Sequence, residues 1–170
     1  SLNNNFTEWD DDKYVTTNID IRTLHGDSIS YTFKKAFTTY VAGNYHPITM
    51  LTYSMEYATY KLNPKPYHVT NLVIHILNTL LVFYFIWLLT KSKKSVILAA
   101  LTYVAWQGYF DGHTLWIDSF IPPFFLTAAG FLLSGQKHGR DNRYFLSGFI
   151  LGLALLSKQV VVPLTGMLTL

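Results

Sequence analysis

Apolar positions are spread unevenly along the 170 residues. From Ser1 to about residue 68 the chain is polar to amphipathic; from Val69 onward it is a series of apolar runs separated by short polar breaks. Ile29 to Tyr40 reads as a short helix with Phe33, Ala36, Phe37 and Tyr40 on one side. Gly43-Asn44-Tyr45-His46-Pro47 punctuates the chain, and Pro47 suits the first turn of a second helix, about Ile48 to Tyr60. Met50, Leu51, Met55 and several tyrosines give that helix the character of a segment lying in a bilayer interface. Asn63-Pro64-Lys65-Pro66 is predicted to stop it.

Val69 to Thr90 is the clearest membrane-spanning pattern. Its length suffices to cross the hydrocarbon core, and it holds no Asp, Glu, Lys or Arg. Ser95 to Phe110 is a second, shorter apolar stretch, closed by the polar break Asp111-Gly112-His113. Thr114 to Leu133 reads as a third span, with Pro122-Pro123 either kinking it or starting a new helix. Tyr144 to Leu156 is a fourth, broken at Ser157-Lys158-Gln159 before an apolar end. The pattern predicts an all-α fold, a polytopic transmembrane helical bundle. Residues 1–68 form an extracytoplasmic loop with short interfacial helices, and residues 69–170 the membrane region. Ser1 is not an initiator Met and Leu170 ends an apolar run, so the chain reads as an internal fragment of a longer polytopic protein.

Composition agrees. Half the residues are hydrophobic and only 14% are charged, against roughly 25% charged in soluble domains. The net charge of +3 is modest, and no basic stripe with interleaved aromatics marks a nucleic-acid surface. With no cysteine, thiolate metal sites, disulfides and cysteine nucleophiles are excluded. Charge placement also sets an orientation. The segments 91–94 and 135–143 each carry three Lys or Arg, whereas Asp111 to His113 carries none, so the basic loops are expected on the cytoplasmic side. Residues 1–68 and Lys158 then fall on the opposite face.

Three groups of residues on or near that face suit chemistry. The run Glu8-Trp9-Asp10-Asp11-Asp12 packs four of the ten acids into five positions. It is either a solvated turn or helix start, or a source of a general base or of ligands for a divalent cation. His68, Asn71, His75 and Asn78 recur three, four and three residues apart, one stripe of a helix whose other positions, such as Leu72, Val73, Ile76, Leu80 and Val82, are apolar. Polar groups at that depth face either neighbouring helices or a water-filled cavity. Lys158, at a helix end, suits either a lipid phosphate or a snorkelling role. Asp111, His113 and Asp118 are weaker candidates, since loop polarity alone accounts for them. Asn5-Phe6-Thr7 fits an N-glycosylation acceptor. Glycine-rich phosphate loops, His-Glu-x-x-His zinc helices and Gly-x-Ser-x-Gly elbows are absent from the sequence.

Several ordered motifs resemble one family: Trp9-Asp10-Asp11-Asp12-x-Tyr14-Val15, Gly43-Asn44-Tyr45-His46-Pro47-Ile48-Thr49, Leu62-Asn63-Pro64, Tyr67-His68-x-Thr70-Asn71-Leu72, His75-x-Leu77-Asn78-Thr79-Leu80 and Leu155-Leu156-Ser157-Lys158. Together they are similar to the polytopic, lipid-linked-sugar-dependent (GT-C type) glycosyltransferases related to protein O-mannosyltransferases, and most to the subgroup with C-terminal tetratricopeptide repeats. The resemblance implies an acidic pair in the first extracytoplasmic loop, which falls on Asp10 and Asp11 as catalytic residues with Asp12 beside them. It implies a polyprenyl-phosphate sugar as donor and a hydroxyl, often of a protein Ser or Thr, as acceptor. Anomeric inversion would follow, with Lys158 at the donor phosphate and His46, His68 and Asn71 lining the cavity. A divalent cation is compatible with the Asp cluster but not required. The implied location is a bacterial inner membrane or, alternatively, the endoplasmic reticulum. Departures from the family pattern lie between 106 and 122. Trp106-Gln107 replace His-Pro, Gly112 stands where a Glu is usual ahead of Trp116-Ile117, and Phe120-Ile121-Pro122 occupy the positions of an Arg-Lys-Asp run. They keep open a second reading, a non-catalytic membrane protein that binds or transports a lipid-linked glycan.

Overall fold

The computed structural model describes residues 5–7, 10–22, 28–110 and 120–158, the side chains of 106–110 excepted. Among the described residues six α-helices follow two short turns: a π-helical turn Asp12–Thr16 and a 3-10 turn Asp20–Arg22, then α1 (Ile29–Thr38), α2 (Pro47–Tyr60), α3 (Pro64–Thr90), α4 (Lys93–Phe110), α5 (Ile121–His138) and α6 (Asp141–Ser157). The described residues form no strands, and the protein is all-helical as expected. A single antiparallel bridge joins Val41 to Asn44 around a tight turn, with Ala42 and Gly43 at φ 50° and 78°.

The helix ends follow from local chemistry. The Ser28 hydroxyl caps α1 by accepting from the Tyr31 N–H at 3.3 Å. Pro47 opens α2, where its missing N–H costs nothing. Asn63-Pro64-Lys65-Pro66 both ends α2 and begins α3. Asn63 accepts from the Lys65 N–H at 3.2 Å, and the prolines occupy the first turn. The long helix therefore starts at Pro64 rather than at Val69. It ends at Lys91, left-handed at φ 53°, whose ammonium sits 5.7 Å over the Trp87 ring. Pro122 and Pro123 lie in the first turn of α5, so of the two readings open for them a helix start is the one observed. The polar stretch expected as a loop at 135–143 is shorter than that. α5 continues through Gly135 to His138 and stops at Gly139 (φ 56°), and α6 begins at Asp141, an acid in the first turn where the helix dipole favours it.

Two packing regimes are visible. The first 60 residues share a small core of Tyr14, Val15, Ile21, Ala36, Met50 and Tyr53, joined by Tyr67 from α3. The later helices bury small residues against one another: Ala128, Ala129 and Gly135 of α5, and Ser147 and Ala154 of α6. The Ser147 hydroxyl donates to the Ala128 carbonyl at 2.8 Å, tying α6 to α5. Their large apolar side chains point outward instead, among them Leu72, Val73, Ile76 and Leu80 on α3, Leu98 and Leu101 on α4, and Phe145 and Phe149 on α6. Among the described residues one helix, α3, is long and apolar enough to cross a membrane, at 27 residues. The apolar stretch beyond 158 and the break at 111–119, with Asp111, His113 and Asp118, lie outside the described residues.

Candidate functional site

Glu8 and Trp9 lie outside the described residues, and the described part of the acidic run, Asp10 to Asp12, leads directly into the amino-terminal core. Tyr14 and Val15 follow it and are both buried, so the turn that carries Asp10, Asp11 and Asp12 is pinned from below. The Tyr14 N–H donates to the Asp10 carbonyl at 3.0 Å, and Asn44 donates to the Tyr14 hydroxyl at 3.3 Å. The three carboxylates have different settings. Asp11 is only 1% exposed and accepts from both the backbone N–H (2.8 Å) and the hydroxyl (3.1 Å) of Thr7. Asp12 accepts from the Lys13 N–H at 2.7 Å. Asp10 stays open, its side chain 41% exposed and 3.9 Å from the Lys13 ammonium.

Two further sequence candidates gather around α2. His46, immediately before that helix, is buried, and its ring meets Tyr14 edge-on at 5.1 Å. On the next turn the Thr49 hydroxyl donates to the Ser157 carbonyl at 3.3 Å, which brings the end of α6 and the half-buried Lys158 to the same end of α2. His68 is buried on the first turns of α3, beside Tyr67, whose ring packs edge-on against Phe6 at 5.4 Å. Phe6 directly precedes Thr7, the donor to Asp11, so the strap before the acidic run rests on the start of α3. Asn71 follows one turn on and is half-buried. Deeper in α3 the stripe turns to its neighbours. His75 stacks on Tyr103 of α4 at 5.5 Å, and Asn78 is fully buried. For His75 this favours the interhelical reading over an open cavity.

Sequence reasoning missed Tyr53 and Glu56. Both are buried on α2, one turn apart. Burial pushes the Glu56 carboxyl up from its ordinary 4.5 to about 7, against the lowering effect of a hydrogen bond with Thr70 of α3. The Tyr53 hydroxyl is raised well above its usual value, first by burial and then by the charges of Glu56 and Asp11. A signal existed: Glu56 is the sole acid between Asp27 and Asp111. Among the described residues no three His, Asp or Glu side chains gather as a metal site would require.

The arrangement offers an open carboxylate, a buried one fixed by a neighbouring threonine, a histidine, and a lysine from a distant helix end. Comparison with known proteins gives one finding to set beside it. No protein-family model matches the chain, and no solved structure matches it. Over 131 residues the chain is 28% identical to "Protein O-mannosyl-transferase TMTC3" of Mus musculus, a stretch that covers 72% of this chain and 14% of that protein. At that identity and coverage, the match fits a glycosyltransferase relationship.

Proposed function

We propose that the chain forms the catalytic core region of an integral-membrane glycosyltransferase, which moves a sugar from a polyprenyl-phosphate donor to an acceptor hydroxyl, on Ser or Thr of a protein. The observation that carries this reading is the packing of the acidic turn, His46 and the Ser157-Lys158 end of α6 around one end of α2. The mannosyltransferase similarity supports it. On this reading α3 to α6 are membrane helices of a polytopic bundle. Residues 1–68 face the extracytoplasmic side of a bacterial inner membrane or the lumen of the endoplasmic reticulum.

The chemistry is a substitution at the anomeric carbon. The acceptor oxygen attacks, its proton passes to a carboxylate of the run, and the bond from the anomeric carbon to the phosphate oxygen breaks. The electron pair leaves with the polyprenyl phosphate, and the configuration inverts. Asp10, the more open of the pair, is placed to touch the acceptor, while Asp11 fixes the turn and adds negative potential. Lys158 offsets charge on the departing phosphate. His46, His68, Asn71 and Asp12 surround the sugar.

The test is transfer of radiolabelled mannose from polyprenyl-phosphate mannose to a Ser/Thr-rich peptide, in membranes containing wild type, Asp10→Asn or Asp11→Asn at equal abundance. Transfer lost in either variant while the donor still binds places that acid in the reaction. Transfer unchanged in the double variant sinks the acidic-run mechanism. Donor binding without any transfer by wild type, across the available polyprenyl-phosphate sugars, would favour the glycan-binding alternative that the replaced Arg-Lys-Asp positions, Phe120 to Pro122, keep in view.

A further inference from the structure

Glu56 stands apart from the acidic run in sequence, on the helix whose Met50 and Tyr53 share a core with Tyr14 and Val15. It lies where α2 packs on α3, 8% exposed, joined to Thr70 by a side-chain hydrogen bond. Its Oε1 is buried and has no hydrogen-bond partner among the described residues. One turn earlier on the same face, the buried Tyr53 hydroxyl likewise has no partner among them, and its ring lies 6.2 Å from Tyr67. Cations are near but turned elsewhere. The Arg22 guanidinium and the Lys61 ammonium each sit 5.4 Å over the ring of Tyr57, next to Glu56 in the chain, and neither forms an ion pair with Glu56. Lys35 of α1 is bound to Asp20 at 3.2 Å. Other titratable groups on the elements around α2 include Tyr31 and Lys34 on α1, His46 just before α2, Tyr67 and His68 on α3, Lys158 at the end of α6, and Asp10, Asp11, Asp12, Lys13 and Tyr14 in the acidic turn. A buried carboxyl without a cation tends to hold its proton, because the charged form loses its hydration and the Thr70 bond returns only part of that loss. Tyr53 is the link to the site: it shares one core with Tyr14 and Val15, which follow the acidic turn, and it feels the charges of Glu56 and Asp11.

We propose that Glu56 is a positioning residue, a proton-bearing carboxyl that acts on the acidic turn through Tyr53, so that transfer runs while Glu56 is neutral and slows when it ionises. Ionisation would strengthen the Thr70 bond but set a second negative charge beside that of Asp11 in this core, both acting on Tyr53. The sign follows from burial. Glu56 keeps its proton up to about pH 7, whereas an exposed glutamate would have lost it near 4.5. The structural part of the proposal stands by itself, and only the effect on rate rests on the glycosyl-transfer reading.

Two measurements separate these parts. Infrared difference spectra of the purified protein in nanodiscs, taken from about pH 5 to pH 9, should show a protonated-carboxyl band vanishing with a midpoint near 7. A tyrosine ring mode should shift in step with it. Glu56→Gln removes both signals, while Tyr53→Phe removes only the ring-mode shift. A missing carboxyl band, or one that titrates without the tyrosine response, overturns the proposal whatever the transfer assay gives. In the mannose-transfer assay the wild-type rate should fall roughly fivefold between pH 7 and pH 8, as for loss of one essential proton. Glu56→Gln should flatten that limb and Glu56→Asp should restore it. An equally steep limb in Glu56→Gln refutes the effect on rate. Wild type without transfer refutes the glycosyl-transfer reading instead, and leaves the infrared result to decide Glu56.

Discussion

Asp10 and Asp11 are neighbours in the chain but meet different physics. The Asp11 carboxylate is withdrawn from water and held by two donors from one threonine, bonds that are stronger to a charged than to a neutral acceptor. Asp10 loses little hydration, and its approach to Lys13 at 3.9 Å is a surface contact of small worth. Substitution by asparagine should therefore divide the pair. Asp11→Asn should lower unfolding stability by about 1–2 kcal/mol, because the Thr7 bonds lose their charged acceptor. Asp10→Asn should change it by no more than about 0.5 kcal/mol. Thermal unfolding of both variants in the same detergent checks this. Equal destabilisation would mean that the Thr7 contacts contribute nothing to the fold of the turn.

At the scale of helices, the segment closest to its sequence expectation is α2. Its proline start and its end at Tyr60 both depend on local chemistry, which the chain spells out. The start of α3 was less legible. Asn63-Pro64-Lys65-Pro66 reads as a stop because prolines break helix interiors, yet the same residues are harmless in a first turn capped by Asn63. The end of α5 was hidden by polarity. Gln136, Lys137 and His138 look like loop, but Gly135 lets Tyr144 of α6 approach so closely that a Cβ there would meet its ring at 3.2 Å, and the helix pair stays in register past those polar residues. In the site, the acidic run, His46, His68 and Lys158 could be named from ordered motifs. Glu56 and Tyr53 could not, because the burial of a lone acid is set by how α2 meets α3, and no periodicity within α2 reports that. The close α5–α6 approach makes a prediction of its own. Gly135→Leu should push the Tyr144 ring aside and loosen the pair, whereas Ser147→Ala should cost only its bond to Ala128, about 1 kcal/mol. Cross-linking yield between the two helices should fall in the first variant and hold in the second. The reverse order would mean that the hydroxyl, not close packing, holds α5 to α6.

The whole molecule has two chemically distinct ends. α3, 27 residues from Pro64 to Thr90, leaves the site at Tyr67 and reaches Lys91 about 36 Å away at the usual rise per residue. α6 returns from Arg140 and Arg143 to Ser157, which bonds Thr49 beside the site. Both basic turns, Lys91 to Lys94 and Lys137 to Arg143, thus lie a helix length from the acidic turn. Loop charge alone assigns the same two groups to opposite faces, an expectation that labelling can test. The absence of native cysteine makes this directly testable, because each introduced thiol is the only one present. Thr17, Thr90 and Gln136 are all exposed, and replacing them leaves every lysine and arginine that sets the orientation in place. In intact bacterial cells with a permeable outer membrane, a maleimide that cannot cross the inner membrane should label Thr17→Cys at once. It should reach Thr90→Cys and Gln136→Cys only after the inner membrane is opened. Labelling of Thr17→Cys and Thr90→Cys from the same side would mean that α3 does not cross. The outward apolar faces of α3, α4 and α6 would then have to be covered by protein rather than by lipid. Protection of Gln136→Cys together with Thr90→Cys would carry the argument past α3, since the chain must cross an even number of times between those two positions to leave both on one side.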